Sequence, residues 1–372
     1  MRTINKKIVI KIGTSTLTGG SSFLNKPRML DLVRQMAALR SKQAGICLVS
    51  SGAIAAGKEV LDFPKLLKTI PAKQMLAAVG QPRLMNVYEQ FFNVYGYDVA
   101  QILLTREDIS DRTRYLNARN TLSALLDQDV IPIINENDSV ATDEIHIGDN
   151  DNLSAMVASL IDADLLVLLT DQRGIYTSDP ALNENARLIK VIESDDIDDS
   201  IWEAAGGSKN GLGTGGMLTK LEAADTARRA GITVVIADGK VDDVLLRVAK
   251  GEEIGTEILP TVDSLESRKR YMLAGVRKGN AVIIDHGAKE ALLSGGSLLP
   301  VGIQKVLGKF ERGEIITVRD QHEETVSLGL VNYGSDDIEQ ILGQQSDRIE
   351  DLLGYVFGDE IIHRNNMVVM RK

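Results

Sequence analysis

The sequence contains little cysteine and few aromatic residues, and each shortage narrows what the chain can be. Cys47 is the only cysteine among 372 residues, so no intrachain disulfide and no cysteine-ligated zinc site can form. A chain of this kind is expected in a reducing cytoplasm. Aromatic residues make up 4% of the sequence, which predicts a core built from aliphatic side chains.

Long apolar runs and clustered metal ligands are also missing. No window approaches the roughly 18 apolar residues of a membrane span, and the apolar run after Lys6 and Lys7 is too short for a signal peptide. The four histidines are scattered without metal-ligand spacing. The net charge of -10 argues against nucleic acid or an anionic membrane as the main partner.

Short β-branched runs alternate with amphipathic segments through the first two-thirds of the chain. This alternation predicts a mainly parallel sheet covered by helices on both faces. The predicted strands are Lys7–Ile12, Ile46–Ser50, Val99–Leu104, Val130–Ile134, Leu165–Leu169 and Ile232–Ala237. The predicted helices are Pro27–Ser41, Pro71–Tyr95, Arg112–Leu126, Asn152–Ile161 and Met217–Ala230.

The pattern changes near Gly255, and the length of the chain predicts two domains. We expect a first domain over residues 1–258, a linker over 259–275 and a second domain over 276–372. Closely spaced short strands predict that the second domain is β-rich. They are Asn280–Ile284, Glu314–Val318, Glu324–Val331 and Met367–Met370.

The stretch Val130–Asn152 is the most informative for function. A buried strand ends in Asn135, Glu136, Asn137 and Asp138, and a second cluster, 149–152, follows a segment that reads as a small hairpin. Ligands of open α/β sheets bind at the carboxyl ends of such strands. Amide donors, amide acceptors and negative charge in one small volume suit a small zwitterionic substrate. Turn formation is the simpler explanation of one such cluster, but not of two.

Three glycine-containing segments predict phosphate binding. Lys11 and Gly13 follow the first strand, where a lysine and exposed backbone N–H groups suit an anion. Ser51 and Gly52 open a helix, whose free N–H groups also attract anions. The loop 206–220 is rich in glycine and carries Lys220, but no strand precedes it, so a dinucleotide fold is disfavoured. Surface exposure and close helix packing remain the alternatives for these segments.

A fourth strand ends in Thr170 and Asp171, which suits a ribose or a base edge, or else a helix cap. Together these strand ends predict two kinds of binding. The lysines and glycine turns would bind phosphates, and the Asn and Asp clusters would bind a polar substrate. No serine–histidine or cysteine–histidine pair is suggested. Phosphoryl transfer needs alignment and charge neutralisation rather than a protein nucleophile. It therefore accounts both for the predicted phosphate and substrate sites and for the lack of a nucleophile pair.

Several motifs closely resemble the amino acid kinase family, and within it the enzymes that phosphorylate the γ-carboxylate of glutamate. They are VIKIGTSTLTGG, VSSGAIAAG, KQMLAAVGQ, PIINENDSVAT, GDNDNLSA, LLTDQRGIYTSDP and GLGTGGMLTKLEAA. The segment GAKEALLSGGSLLPVGI resembles a PUA module. The resemblance covers nearly the whole chain. It implies a three-layer αβα sandwich with a mainly parallel sheet, followed by a small β-rich PUA-like domain.

The resemblance also implies roles for individual residues. The catalytic residues would be Lys11, Lys220 and Asp151, and glutamate would be held by Ser51, Asp138, Asn150 and Asn135. ATP would be bound by Lys11, Gly13, Gly52, Thr170, Asp171, Thr214, Gly215, Gly216, Met217 and Lys220. The resemblance names no side chain as a metal ligand.

The same resemblance implies Mg²⁺ on the ATP phosphates, feedback inhibition by proline, and a homo-oligomer, either a dimer or a tetramer. Three alternatives remain open at this point. The chain could phosphorylate acetylglutamate or aspartate, it could be an inactive homologue, or it could bind RNA through the PUA-like part. Residues 276–372 carry 11 Lys and Arg against 15 Asp and Glu, and this net charge of −4 disfavours RNA binding.

Overall fold

A computed structural model describes residues 6–65, 69–141, 149–180, 182–194, 196–206, 216–261, 266, 272–273, 275 and 279–370. The chain divides into two units. The first comprises Met1–Ile109 with Arg119–Ser264, and the second comprises Ser110–Ala118 with Leu265–Lys372. No helix among the described residues is long and apolar enough to cross a membrane.

The described elements up to Ile258 follow the predicted alternation of strands and helices. The strands are β1 Lys7–Ile12, β2 Gly45–Ser50, β3 Val99–Leu104, β4 Ile131–Glu136, β5 Leu165–Thr170, β6 Val191–Ile192, β7 Thr233–Asp238 and β8 Thr256–Ile258. The helices are α1 Thr14–Thr18, α2 Lys26–Arg40, α3 Ala53–Val60, α4 Ile70–Asn93, α5 Arg106–Ser110, α6 Arg112–Asp127, α7 Asp149–Leu160, α8 Asp199–Ala204, α9 Met217–Arg229 and α10 Val244–Ala249.

One sheet contains all eight of these strands, in the order β3-β4-β2-β1-β5-β7-β8-β6. Its described pairings are parallel except for that of β7 with β8. The prediction of a mainly parallel sheet is therefore confirmed. The strands β4, β2, β1 and β5 are neighbours at its centre, so their carboxyl ends meet at one edge.

Helices cover both faces of this sheet, and its central strands are therefore buried on both sides. Ile8, Ile10 and Ile12 pack in one core with residues of α2 and α4. Val9 and Lys11 project to the opposite face, since successive side chains alternate along a strand, and α7 packs against β1. Cys47 is buried within β2, as its apolar setting predicted.

Helices α3 and α4 approach each other at two glycines. A Cβ atom on Gly80 would lie 1.8 Å from the carbonyl oxygen of Ala53 and 2.3 Å from the backbone nitrogen of Gly57. A Cβ atom on Gly57 would lie 1.9 Å from the carbonyl oxygen of Leu76. Only glycine at both positions allows this backbone contact, which was not predicted from the sequence.

The second unit contains the sheet β10-β9-β11-β12-β13. Its strands are β9 Ala281–Ile284, β10 Ile303–Leu307, β11 Ile315–Arg319, β12 Thr325–Leu330 and β13 Met367–Val369. Its further α-helices are α11 His286–Leu293, α12 Ser335–Ile341 and α13 Ile349–Leu353, with 3₁₀ turns at Pro300–Gly302, Ser346–Arg348 and Arg364–Asn366. The β-rich character is confirmed, and β10 is a strand that the sequence pattern did not predict.

The segment Ser110–Ala118 also belongs to this second unit. Along the chain it is separated from the rest of the unit by Arg119–Ser264, which belongs to the first unit. Leu116 is fully buried in a core with Met272, Ile315, Leu328, Leu330 and Val368. The guanidinium of Arg312 donates a hydrogen bond to Asn117 Oδ1 at 2.6 Å. The second unit is thus completed by a segment from far earlier in the chain.

Candidate active site

The carboxyl ends of β4, β2, β1 and β5 line a single cavity of about 620 Å³ in the first unit. This is the edge at which open parallel sheets bind ligands. Among the predicted site residues, those that line the cavity are Lys11, Gly13, Ser51, Gly52, Asn135, Asp138, Asn150, Asp151, Thr170, Asp171, Gly216, Met217 and Lys220. The two remaining predictions, Thr214 and Gly215, lie outside the described residues.

Asp151 is the centre of a charged cluster in the cavity. Its Oδ1 atom forms a salt bridge with Lys11. Its Oδ2 atom lies 3.2 Å from Lys220 Nζ and accepts a hydrogen bond from Thr219 Oγ1 at 2.8 Å. Asp151 is 1% exposed and Lys11 4% exposed. One buried carboxylate therefore holds two ammonium groups side by side, on the face of the sheet to which Lys11 projects.

The pKa values of this cluster reflect both burial and charge. Burial alone would raise the pKa of Asp151, but the charges of Lys11 and Lys220 outweigh it, so the pKa lies below its usual range. Burial lowers the pKa of Lys11, and the attraction of Asp151 offsets this only in part. The carboxylate therefore stays ionised at neutral pH and keeps its two cations in place.

Two glycines, Gly13 and Gly52, also line the cavity near these charged groups. A Cβ atom on Gly13 would lie 3.4 Å from Lys11 Nζ, so a side chain there would crowd the ammonium group. Gly52 has φ +104, a conformation that favours glycine, and it precedes the first turn of α3. Ala53 and Ile54 in that turn line the cavity, and the N–H groups at the start of a helix favour anions.

Amide side chains also line the cavity. Asn150 Nδ2 donates hydrogen bonds to Ser51 Oγ and to Asn135 Oδ1, each at 3.0 Å. The predicted helix start at Asn152 is wrong, because α7 begins at Asp149. Asn150 and Asp151 thus lie in its first turn, where neighbouring side chains diverge by about 100° and reach different parts of the cavity. The predicted hairpin before them lies outside the described residues.

Some cavity residues were missed by sequence reasoning. Thr219, next to Lys220, was not singled out, although a hydroxyl one residue from a predicted lysine could have been considered. Lys73 also lines the cavity, from the first turn of α4. Gln81 lies behind Asn135 and accepts a hydrogen bond from it at 2.8 Å. No local signal in the sequence pairs Gln81 with a residue 54 positions further along.

The charged groups do not form a protein cage for a metal ion. Among the residues that the structure describes, no three histidine, cysteine, aspartate or glutamate side chains are grouped to hold one. The Asp151 carboxylate already binds two lysines and a hydroxyl. The site suits a magnesium ion that is carried mainly by ligand phosphates, which is the usual manner of binding for this ion.

Comparison with known proteins agrees with this architecture. Residues 6–238 match the amino acid kinase family, and residues 280–353 match the PUA domain. The chain belongs to the amino acid kinase family. The family resemblance, the fold class and the PUA-like C-terminal part predicted from the sequence are therefore confirmed.

Similar proteins cover nearly the whole chain. A glutamate 5-kinase from Shewanella oneidensis is 53% identical over 366 residues, which is 98% of this chain and 98% of that protein. A glutamate 5-kinase from Vibrio vulnificus is 49% identical over 368 residues, covering 99% of this chain and 97% of that one. The crystal structure of a UMP kinase from Bacillus anthracis aligns with a TM-score of 0.47 at 14% identity, over 68% of this chain and 96% of that one.

Proposed function

We propose that this chain is a glutamate 5-kinase, which transfers the γ-phosphoryl group of ATP to the γ-carboxylate of L-glutamate in the first step of proline biosynthesis. The carrying observation is the cavity, which is lined by two lysines paired with Asp151 and by the amide side chains of Asn135 and Asn150. The two full-length glutamate 5-kinase relatives support the choice of substrate. The cavity is large enough for a small amino acid beside nucleotide phosphates.

The proposed mechanism is an in-line attack by a γ-carboxylate oxygen on the γ-phosphorus. The new O–P bond forms as the bond to the β-phosphate oxygen breaks, and ADP leaves with that electron pair. A carboxylate is already ionised at pH 7, so no general base is needed. The product is an acyl phosphate, which water hydrolyses easily, so a closed site is useful.

Individual residues have distinct roles in this proposal. Lys11 and Lys220 neutralise the charge that spreads over the phosphoryl oxygens, and Asp151 holds both lysines in position. Ser51, Asn135, Asp138 and Asn150 hold glutamate. Gly13, Gly52, Thr170, Asp171 and the segment Thr214–Lys220 hold ATP. Mg²⁺, if bound to the ATP phosphates, would offset part of their negative charge beside Lys11 and Lys220.

Three further properties extend this proposal on the strength of the family resemblance. We propose feedback inhibition by proline, assembly into a dimer or tetramer, and a cytoplasmic location. None of them is required by the geometry of the cavity.

A substrate panel tests the proposed reaction. The protein is incubated with ATP, Mg²⁺ and either L-glutamate, L-aspartate or N-acetyl-L-glutamate, and the acyl phosphate is trapped as its hydroxamate. We expect kcat/KM for glutamate to exceed the other values by about 100-fold or more, because a buried polar site rejects poorly matched analogues. Reactions without protein give the background. Faster turnover of N-acetylglutamate would exclude the proposed substrate.

Replacing Thr219 with valine should lower kcat about tenfold. The change keeps the shape of the side chain but removes the hydrogen bond to Asp151 Oδ2, and bonds to charged groups contribute about 1.5–3 kcal/mol. The matched control is Thr219→Ser, which keeps the hydroxyl and should stay within about threefold of the parent. Steady-state kinetics at saturating ATP measure the effect. Equal kcat for the valine and serine variants would mean that the hydroxyl has no such role.

A further inference from the structure

Four amide side chains form a continuous chain of hydrogen bonds that starts at the cavity. Asn150 Nδ2 donates to Asn135 Oδ1 at 3.0 Å, and Asn135 Nδ2 donates to Gln81 Oε1 at 2.8 Å. Gln81 Nε2 then donates to Gln101 Oε1 at 3.2 Å. Asn150, Asn135 and Gln81 therefore each donate to the next amide along this chain.

The backbone determines the direction of this chain. The N–H group of Glu136 donates to Asn135 Oδ1 at 2.9 Å. A backbone N–H group can only donate, so the Asn135 atom that faces it must be the amide oxygen. The Asn135 nitrogen must then face Gln81, whose oxygen has to accept. The orientation of each amide follows from its neighbour, which is how amide orientations are properly assigned.

The direction has a consequence inside the cavity. Asn150 uses both amide hydrogens, one on Asn135 and the other on Ser51. Its Oδ1 atom is buried and has no hydrogen-bond partner within the described part of the chain. A buried acceptor without a partner is costly, and a ligand that donates a hydrogen bond removes that cost. An ammonium group is such a donor, and the Asp138 carboxylate on the same cavity favours its positive charge.

Gln81 lies outside the cavity, and its Oε1 atom accepts from the Asn135 amide that the backbone has already oriented. It is 9% exposed and does not line the cavity, so it cannot bind the substrate directly. It follows Gly80, where α4 contacts the backbone of α3. That close contact holds the helix that carries Gln81 against α3, which follows the cavity residues Ser51 and Gly52.

We propose that Gln81 is a positioning residue that makes the site selective for a substrate with a free α-ammonium group. It accepts from Asn135 Nδ2 and so acts together with the Glu136 N–H group, which holds the Asn135 oxygen. The two contacts keep that oxygen on Asn150 and leave the Asn150 oxygen to accept from the ammonium. This inference rests on the proposed function, and it adds a residue that determines which carboxylates are accepted.

The test compares glutamate with glutarate, the same dicarboxylate without the amine. In the Gln81→Met protein, which keeps the side-chain length but lacks the amide, we expect kcat/KM for glutamate to fall about tenfold. The loss should appear mainly in KM for glutamate, with KM for ATP unchanged. The kcat/KM for glutarate should stay the same, so the ratio of kcat/KM for glutamate to kcat/KM for glutarate should fall. An unchanged preference in a folded variant would overturn the proposal.

Three further variants separate positioning from simple stability. Gln81→Glu keeps an oxygen that can accept from Asn135, so it should retain the glutamate preference. Gln81→Asn has an amide that is too short, so it should lose the preference as methionine does. Gln101→Ala changes only the exposed far end and should match the parent. Loss of preference in Gln81→Glu would refute the inference, whereas failure of the parent protein to phosphorylate glutamate would refute the proposed function instead.

Discussion

Replacing Asp151 with asparagine is expected to lower kcat by about 100- to 1,000-fold, with little change in KM for glutamate. Asparagine has nearly the same shape but no charge, so Lys11 and Lys220 lose the carboxylate that holds them together. Removing one preorganised electrostatic group from an active site typically costs this much in kcat. Steady-state kinetics with both substrates varied measure the change. A kcat within threefold of the parent would exclude the role of Asp151.

The same substitution should also reduce stability, and the loss should depend on pH. Removing one partner of a buried ion pair costs about 3 kcal/mol or more, because the other charge stays buried without compensation. Burial already lowers the pKa of Lys11, and loss of Asp151 lowers it further. Between its folded and unfolded pKa values, the unfolded state binds more protons, so stability rises with pH. The deficit should therefore shrink as the pH is raised towards the ordinary pKa of a lysine side chain, as denaturant unfolding can measure.

A matched ion pair outside the cavity provides the control. Arg119 is largely buried and its guanidinium lies 2.6 Å from Asp162 Oδ2. Asp162→Asn should destabilise the protein but leave kcat close to that of the parent, since neither residue lines the cavity. If both substitutions lowered kcat equally, the effect of Asp151→Asn would reflect loss of stability rather than loss of charge in the site.

Replacing Gly80 with alanine is expected to destabilise the first unit by about 2 kcal/mol. In an ordinary helix the change from glycine to alanine stabilises by about 1 kcal/mol. Here the new Cβ atom would lie 1.8 Å from the carbonyl oxygen of Ala53, and backbone atoms cannot rotate away. Overpacking of this kind costs about 1–3 kcal/mol and occasionally more. The steric cost therefore exceeds the gain in helix propensity.

The effect of Gly80→Ala should also reach the cavity, because α3 follows Ser51 and Gly52 and α4 carries Gln81. We expect KM for glutamate to rise in any soluble fraction. Gly287→Ala is the control, since its Cβ atom would meet only Asp285 Oδ1, at 3.5 Å, and it lies in helix α11. That change should raise the melting temperature slightly. A Gly80→Ala protein as stable as the parent would show that the two helices can separate without cost.

The central sheet and most of the site were predictable because their signals are local. Runs such as Ile131–Ile134 and Leu165–Leu169 are apolar on both faces, which is typical of buried parallel strands. Polar residues directly after such runs lie at the same edge of the sheet, so Asn135 and Thr170 could be placed near one cavity before its shape was known. The start of α7 was predicted three residues too late, at Asn152 instead of Asp149, because Asn and Asp favour both loops and first turns of helices.

The features that escaped prediction depend on contacts between distant segments. Gly57 and Gly80 look like ordinary helix interruptions until α3 and α4 are placed together. No periodic pattern in the sequence predicts the hydrogen bond between Gln81 and Asn135, because it joins a helix to the end of a strand. Strand β10 carries exposed residues at Gln304 and Lys305, so its apolar pattern is weak.

Ser110–Ala118 is synthesised long before the other residues of the second unit. One residue of that unit's core, Leu116, is therefore made well before its neighbours. Ribosomes synthesise about 5–20 residues per second, so Val368 appears roughly 10–50 s after Leu116, its neighbour in the finished core. Leu116 has none of its core partners until Met272 is made, and the set is complete only when Val368 is made. The nascent chain must therefore carry an incompletely buried apolar side chain until synthesis is almost complete, and a ribosome that stalled before residue 272 would leave it exposed to solvent or to a chaperone.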